Sequence, residues 1–182
     1  SGNLLTSFVA RAHTHYHDLC QGGHEASQAG GSAILMQTDS ERLLQEGIAT
    51  GAATFENFLH DSQASRDGLD KTICHQVGGA HRKLMLESLG LSPERDYSTF
   101  PWLGNTGSAA LPVTLALAAE SGFVSSGDRV ALLGIGSGIN CLMASVQWQT
   151  TLVGGMPRDK DSLHLQPPHW PASTVRAASR GA

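Results

Sequence analysis

The sequence predicts an α/β protein in which five strands form a mixed sheet with helices packed on its faces. Segments with strand and helix patterns follow one another in the order strand, strand, helix, strand, helix, helix, strand, strand. Of the 182 residues, 40% are hydrophobic and only 15% are charged, a composition that suits a packed core. The 21 glycines suit tight turns and closely packed elements.

The first part of the chain predicts two strands, a loop and a long helix. Leu4 to His17 alternates and is rich in β-branched and aromatic residues, which predicts a strand. The glycines between Gln21 and Ser32 predict a loop, and Ser32 to Gln37 is a short apolar strand. A helix then begins with Asp39 or Ser40 as its N-cap, and apolar residues recur along it at steps of three or four.

The second part of the chain predicts two helices and three strands, divided by glycine-containing turns. The predicted strands are Lys71 to Val77, Arg129 to Leu133 and Ile139 to Trp148. The predicted helices are Ala80 to Leu89, ended by Gly90, and Ser108 to Ser121, ended by Gly122. Ser98 to Gly104 is predicted to be irregular. Residues 149–182 show no period and are predicted to be a disordered tail.

Composition and charge exclude several classes of function. The net charge of −4, without a basic stripe, argues against nucleic-acid binding. The longest nearly apolar run, 109–119, is too short to span a bilayer. Cys20, Cys74 and Cys141 are an odd number without a CxxC pair, which argues against a disulfide framework and a structural zinc site. No signal-peptide pattern is visible, so we expect a cytoplasmic protein.

Two side chains and one turn are candidates for chemistry. His75 lies at the end of an apolar strand, where α/β proteins place reacting groups, although a lone histidine there is more often a partly buried structural residue. Asn105 lies between Gly104 and Gly107 and could donate to an oxyanion, or could be an ordinary turn residue. The turn 134–138 could present backbone N–H groups to an anion, or could be a plain hairpin.

His13, His15 and His17 raise the alternative of a metal site. On a strand, spacing by two would put all three on one face, with Cys20 and His24 nearby. The competing interpretation is a polar strand face or a strand end at a cleft. We favour that interpretation and predict neither a metal site nor a cofactor.

Three ordered segments carry a family resemblance. They read CHQVGGAHRKLMLESLGL, GNTGSAALPVTLALAAESG and GDRVALLGIGSGINCLMA. Together they resemble the C-terminal half of the ketoacyl-acyl-carrier-protein synthase III family of thiolase-like condensing enzymes. His75 and Asn105 are 30 residues apart and the glycine turn begins 29 further on, as in that family. The stretches LGIGSGINCLM and TDSERLLQEGIATG look most like the OleA-like branch, which condenses two acyl-CoA chains head to head.

The resemblance, over Leu4 to Trp148, implies a thiolase-like C-terminal half and roles for the candidate residues. His75 and Asn105 would be catalytic and stabilise the oxygen on which negative charge develops. The backbone of Gly136, Ser137 and Gly138 would form a second oxyanion site. The substrates implied are acyl-CoA or acyl-carrier-protein thioesters, condensed by Claisen chemistry in fatty-acid or long-chain olefin and ketone biosynthesis.

The resemblance also implies that something is missing. None of the three cysteines matches the position of the family's nucleophile, so an N-terminal half or a partner chain would have to supply it. The start at Ser1, without Met, is interpreted as a cut end. Residues 1–31 would be the last strand and loop of the missing half, and 32–148 the C-terminal half.

Three further expectations accompany this interpretation. An exposed apolar helix face should make the chain a homo- or hetero-oligomer. Phe8, His13 and Tyr16 are candidates for lining what remains of the substrate pocket. The alternatives to an enzyme portion are a non-catalytic partner subunit or scaffold and, less favoured, the small metal-binding module.

Overall fold

The computed structural model describes residues 2–26 and 32–151. The elements described are β1 (Leu4–Ala12), β2 (Cys20–Ala26), β3 (Ser32–Thr38), α1 (Ser40–Ser62), β4 (Lys71–Cys74), α2 (Gly79–Leu89), α3 (Phe100–Leu103), α4 (Ala110–Glu120), β5 (Arg129–Gly136) and β6 (Asn140–Gln147). Short 3-10 helices span Thr14–Leu19, Pro93–Arg95 and Gly107–Ala109. The predicted α/β class is confirmed. Most of the predicted tail and the predicted boundary at residue 31 lie outside the described residues.

The predicted mixed sheet is also confirmed, but its strand count is wrong. The main sheet has the order β1-β6-β5-β4, with β1 and β5 antiparallel to β6 and with β4 parallel to β5. Within the described ranges it therefore contains four strands instead of five. The remaining predicted strand, β3, pairs with β2 in a separate antiparallel ribbon.

Helix α1 covers one face of the main sheet. Asp39 caps it by accepting a hydrogen bond from the Arg42 N–H at 3.1 Å, as the sequence predicted. Two of its own side chains, Phe55 and Phe58, are fully buried in the core. A glycine at position 51 allows α2 to approach, because a Cβ there would lie 3.1 Å from the sulfur of Met85.

The opposite face of the sheet is only partly covered. Helix α4 packs there against Ile73 and Val130 in a second core cluster. Beyond α4, Phe8 on β1 and Leu142 on β6 are 53% and 47% exposed. Because Val9, next to Phe8, packs into the core on the α1 side, strand alternation places Phe8 on this open face. Val113 of α4 adds a further exposed apolar side chain.

The first strand is shorter than the predicted Leu4 to His17. Strand β1 ends at Ala12, opposite Asn140, because β6 begins at that residue. His13 still exchanges two backbone hydrogen bonds with Ile139, but the partner chain then turns away and offers no further ladder. The chain continues as the 3-10 helix Thr14–Leu19, which buries Leu19.

Two predicted irregular segments are partly regular. Residues 21–26, expected to be a loop, form β2, because β3 supplies a complete antiparallel partner. The segment Ser98 to Gly104 contains the one-turn helix α3, with Pro101 in its first turn, where proline is tolerated.

Gly90 and Gly122 end α2 and α4 with φ of +66° and +77°, as predicted. Between residues 2 and 151, the described helices are all too short or too polar to cross a bilayer.

Candidate functional site

His75 lies directly after β4, which ends at Cys74, three residues before the predicted end at Val77. Its backbone N–H donates to the carbonyl of Leu133 at 2.9 Å, which continues the parallel pairing with β5. The side chain is half-buried, and burial lowers the pKa of its imidazole. It lines a cleft of about 20 Å³, room for about one water molecule, beside Cys74, Gly134 and Met143.

Asn105 lies in the loop between α3 and α4. Gly104, with φ of +66°, reverses the chain immediately before it. The Asn105 side chain is exposed, and its Oδ1 accepts a hydrogen bond from the Gly107 N–H at 2.9 Å. Since the oxygen is held by the loop backbone, the Nδ2 amide group is the part of the side chain that can donate to another molecule.

The glycine turn joins β5 to β6 as a hairpin, as one of the two sequence interpretations predicted. The Ser137 carbonyl accepts a hydrogen bond from Asn140 Nδ2 at 3.1 Å. Gly138 has φ of +131°, and a Cβ there would lie 2.5 Å from the same nitrogen, so the position requires glycine. Because β4 and β5 are parallel, the turn and His75 follow strand ends at the same edge of the sheet.

The sequence interpretation overlooked a second histidine in the cleft. His81, in the first turns of α2, lines the same cleft as His75. Burial and the neighbouring His75 both lower the pKa of the His81 imidazole. A histidine six residues after a candidate histidine, at the start of the next helix, is the signal that could have indicated it.

An ion pair between Asp96 and Arg82 contacts the end of β4. Asp96 Oδ2 accepts from Arg82 Nε at 2.6 Å, and Asp96 Oδ1 accepts from the Cys74 N–H at 3.2 Å. Asp96 is buried, and burial raises the pKa of its carboxyl although Arg82 opposes the shift. The sequence did not indicate this pair, because nothing local to Asp96 shows which cation it meets.

The remaining predicted pocket residues lie elsewhere. Phe8 is exposed on the open face of the sheet. His13 Nδ1 lies 2.9 Å from the Thr50 hydroxyl of α1, and Tyr16 has a raised pKa because its hydroxyl is hydrogen-bonded to the Glu46 carboxylate. The residues lining the cleft beside His75 do not include Phe8, His13 or Tyr16, so a substrate-lining role for them stays a prediction.

The three histidines do not form the strand-face arrangement that the metal alternative required. His15 and His17 belong to the 3-10 helix and not to β1, so the three histidines do not share a strand face. His17 Nδ1 instead lies 3.1 Å from the Thr14 carbonyl oxygen. The His15 ring packs on the Tyr16 ring, with their centroids 3.9 Å apart. In the described ranges, no group of three or more His, Cys, Asp or Glu side chains is arranged around a common point.

The three cysteines are free thiols, and two of them are buried. Cys74 and Cys141 are buried, and burial raises the pKa of both thiols, for Cys74 well above its ordinary value. The Asp96 carboxylate raises the pKa of Cys74 further. Cys20 is half-buried at the start of β2, and its Sγ accepts a hydrogen bond from the Thr38 hydroxyl at 3.6 Å.

Comparison with known proteins identifies the same family as the resemblance. Residues 59–148 match the family described as 3-oxoacyl-(acyl-carrier-protein) synthase III C terminal. An acyl-CoA:acyl-CoA alkyltransferase from Shewanella oneidensis is 42% identical over 133 residues, which are 73% of this chain and 38% of the relative. A β-ketoacyl-(acyl-carrier-protein) synthase III from a Synechocystis species is 27% identical over 68% of this chain and 38% of its own length.

Solved structures agree with these relatives. An OleA variant from Xanthomonas campestris with bound lauric acid and lauroyl-CoA matches with a TM-score of 0.71 and 35% identity. It covers 80% of this chain, which in turn spans 41% of that chain. A 3-oxoacyl-(acyl-carrier-protein) synthase III from Xanthomonas oryzae matches with the same TM-score and 36% identity. The chain thus spans about two-fifths of the length of its relatives, and it belongs, through residues 59–148, to the C-terminal part of the 3-oxoacyl-(acyl-carrier-protein) synthase III family.

Proposed function

We propose that this chain is the C-terminal portion of an enzyme that joins two acyl thioesters by Claisen condensation. The observation that carries the proposal is the 42% identity to an acyl-CoA:acyl-CoA alkyltransferase over 73% of the chain. The family match over residues 59–148 includes the His75 strand end, the Asn105 loop and the glycine hairpin. A related solved structure contains lauroyl-CoA, which supports fatty acyl-CoA as the substrate class. Acyl-carrier-protein thioesters are the alternative carrier, as the synthase III relatives indicate.

His75 and Asn105 would act on the acyl thioester that becomes the nucleophile. When a general base takes the α proton of that thioester, negative charge builds on the carbonyl oxygen of the thioester. We assign this base, like the nucleophile, to the N-terminal half, because His75 and Asn105 are assigned as donors. The His75 imidazole N–H and the Asn105 Nδ2 amide would both donate hydrogen bonds to that oxygen. Burial favours the neutral imidazole of His75, and a neutral ring donates through one nitrogen without bringing a positive charge into the cleft.

The hairpin would stabilise the second oxyanion of the reaction. The α carbon of the enolate attacks the carbonyl carbon of an acyl group held on a cysteine, which forms the new carbon–carbon bond and a tetrahedral intermediate, and collapse of that intermediate expels the cysteine thiolate. Backbone N–H groups of residues 136–138, above all that of Ser137, would donate to the oxygen of the tetrahedral intermediate. The exposure of Ser137 is compatible with this role.

The nucleophilic cysteine would come from outside this chain. An activated thiol needs a lowered pKa, whereas burial raises the pKa of Cys74 and Cys141. Cys20 begins a strand and lies outside the cleft that His75 lines. We therefore assign the nucleophile to an N-terminal half, on the same polypeptide or on a partner chain.

The open face of the sheet is the place where that half would pack. Phe8, Leu142 and Val113 expose apolar side chains on β1, β6 and α4. Helix α4 is apolar on most of its circumference, a composition typical of a helix enclosed on all sides. Without the N-terminal half, we expect this surface to make the chain self-associate.

A covalent-labelling experiment tests the division of labour between the two halves. Radiolabelled lauroyl-CoA is incubated with the chain alone and with the chain plus a complementary N-terminal half. The proposal predicts no stable thioester on Cys20, Cys74 or Cys141, and labelling of the added half. Acylation of one of these three cysteines at a stoichiometric level would contradict the assignment of the nucleophile.

A condensation assay separates the enzyme from the scaffold alternative. If the reconstituted pair releases CoA and forms a condensed product that depends on His75 and Asn105, the chain contributes to catalysis. A product that forms equally well when both side chains are replaced by alanine would favour the non-catalytic partner subunit. Analytical ultracentrifugation of the chain alone checks the expected self-association, and a stable monomer at micromolar concentration would contradict it.

A further inference from the structure

We propose that Gln76 is a positioning residue, which fixes the strand end carrying His75 relative to the loop carrying Asn105. The inference rests on the proposed function, since it concerns the oxyanion site that these two side chains would form. Gln76 follows His75 directly, but its side chain is only 2% exposed and does not line the cleft. It would therefore act through its neighbours and not on the substrate.

Both ends of the Gln76 amide form hydrogen bonds. Its Nε2 donates to the Cys74 carbonyl at 2.6 Å, on the residue that precedes His75. Its Oε1 accepts from the Ser98 hydroxyl at 2.8 Å, the Thr99 N–H at 3.1 Å and the Phe100 N–H at 3.0 Å. One side chain thus joins the end of β4 to a segment more than twenty residues away in sequence.

The segment held by Gln76 leads directly to Asn105. The Phe100 N–H belongs to the first turn of α3, so the Gln76 oxygen acts as the cap of this one-turn helix. The α3 turn is closed by hydrogen bonds from Leu103 N–H to the Thr99 carbonyl and from Gly104 N–H to the Phe100 carbonyl, both 2.9 Å long. Backbone hydrogen bonds therefore extend from the Gln76 contact to the residue before Asn105.

A second contact holds the other side of the Asn105 loop. The Thr99 hydroxyl lies 2.7 Å from the Thr114 hydroxyl, which donates to the Ala110 carbonyl at 2.6 Å in the first turn of α4. Thr99 is 1% exposed and Thr114 is fully buried. The loop from Gly104 to Ala109 is thus held at its start through Gln76 and at its end through Thr114.

This arrangement matters for catalysis because two separate donors must meet on one oxygen. A misplacement of about 1 Å between reacting groups lowers a rate by about a hundredfold. Loss of the Gln76 contacts leaves three donors without their acceptor in a buried place, so the segment 98–105 should shift or loosen. We expect kcat to fall between about tenfold and a hundredfold while KM changes by less than about threefold, because bound substrate is misaligned but still bound.

Two substitutions separate the halves of the amide. Gln76→Met keeps the length of the side chain and removes all four hydrogen bonds. Gln76→Glu keeps an acceptor for Ser98, Thr99 and Phe100 but places a second oxygen against the Cys74 carbonyl, so it breaks the strand contact at the further cost of a buried charge. It therefore tests the strand contact separately from the contacts to segment 98–100. The matched control is Thr72→Val, which removes the buried hydrogen bonds from the same strand to Asp96 and the Arg95 carbonyl. The hydrogen bonds of the Thr72 side chain do not reach segment 98–105.

The experiment combines amide hydrogen exchange of the 182-residue chain with condensation kinetics of the enzyme reconstituted from it. In Gln76→Met, peptides covering 98–105 should exchange at least about tenfold faster, and kcat should fall as stated, whereas Thr72→Val should change neither beyond about twofold. Unchanged exchange, or a kcat no lower than that of Thr72→Val, would overturn the proposal. If His75→Ala and Asn105→Ala leave condensation intact, the proposed function fails instead, and the exchange data still show whether Gln76 holds the segment.

Discussion

Replacing Arg82 with methionine should strongly destabilise the protein, because Asp96 would become an unpaired buried carboxylate. Asp96 has no exposed side-chain surface, whereas the Arg82 side chain is 26% exposed. The Arg82 guanidinium also donates to the carbonyls of Pro93 and Asp96, so it holds the segment before Tyr97 against α2. Methionine preserves the apolar stem of the side chain and removes only the charge and the hydrogen bonds.

The size of the effect follows from the burial of the two partners. Breaking a buried ion pair by removing one partner costs about 3 to 5 kcal/mol. Because Arg82 is partly exposed and water can reach the carboxylate once it is gone, we expect the lower end, about 3 kcal/mol. For a chain of this size that loss lowers Tm by roughly 6 to 12 °C.

Thermal and urea unfolding measure this prediction, with Lys83→Met as the matched control. Lys83 is 75% exposed and pairs with Glu87 only at 3.9 Å, so its replacement should change stability by less than about 0.5 kcal/mol. An Arg82→Met/Asp96→Asn double variant should recover at least about 1 kcal/mol of the loss, because it removes the unpaired charge. A loss below about 1 kcal/mol for Arg82→Met would refute the reasoning.

The loss of stability caused by Arg82→Met should depend on pH. Burial raises the pKa of Asp96, so the folded state binds this proton more tightly than the unfolded state. Asp96 therefore contributes less to stability as pH rises through its folded-state pKa. Removing Arg82 raises that pKa further, and the cost of Arg82→Met should be smaller at about pH 5 than at about pH 7. A cost that grows on acidification would contradict this sign.

The remaining predictions concern the sheet, the histidines and the open face. Gly134→Ala should cost about 1 to 3 kcal/mol in urea unfolding, because its Cβ would lie 3.1 Å from the Leu142 carbonyl oxygen, whereas Gly136→Ala meets no atom within 4 Å and should cost less. In an NMR titration His75 should show a pKa below its ordinary value, and His75→Ala should raise the pKa of His81 by removing a neighbouring positive charge. Leu142→Ser should reduce self-association in light scattering with little loss of stability, since Leu142 is 47% exposed.

Elements with local signals were predictable from the sequence. The Asp39 cap and the Gly90 terminus depend on residues within one turn of a helix end, so the sequence predicted both helix boundaries closely. The end of β1 was not predictable in this way, because it is set by the start of β6 more than a hundred residues later. Strand β2 was missed for the same reason, since its glycines favour a loop until β3 pairs with them.

In the candidate site as well, features with local sequence signals were predictable and contacts between distant residues were not. The positions of His75 near the end of an apolar strand and of the glycine turn between two strands follow from apolar runs and turn residues. The structure confirms both, although β4 ends at Cys74 and not at Val77. The contacts that fix these positions join distant residues, as in the Gln76 hydrogen bonds to segment 98–100 and the Arg82–Asp96 pair. A single sequence does not indicate such partners, because each is determined by tertiary packing.

The central claim is tested most directly by following acylation and condensation separately in the reconstituted enzyme. With His75→Ala or Asn105→Ala in this chain, labelled lauroyl-CoA should still acylate the cysteine of the other half, because both side chains are assigned to the later enolate step. Condensed product should then form at least about a hundredfold more slowly, as expected when one preorganised oxyanion donor is lost. Product formation at the unsubstituted rate by both variants, with acylation intact, would contradict the account.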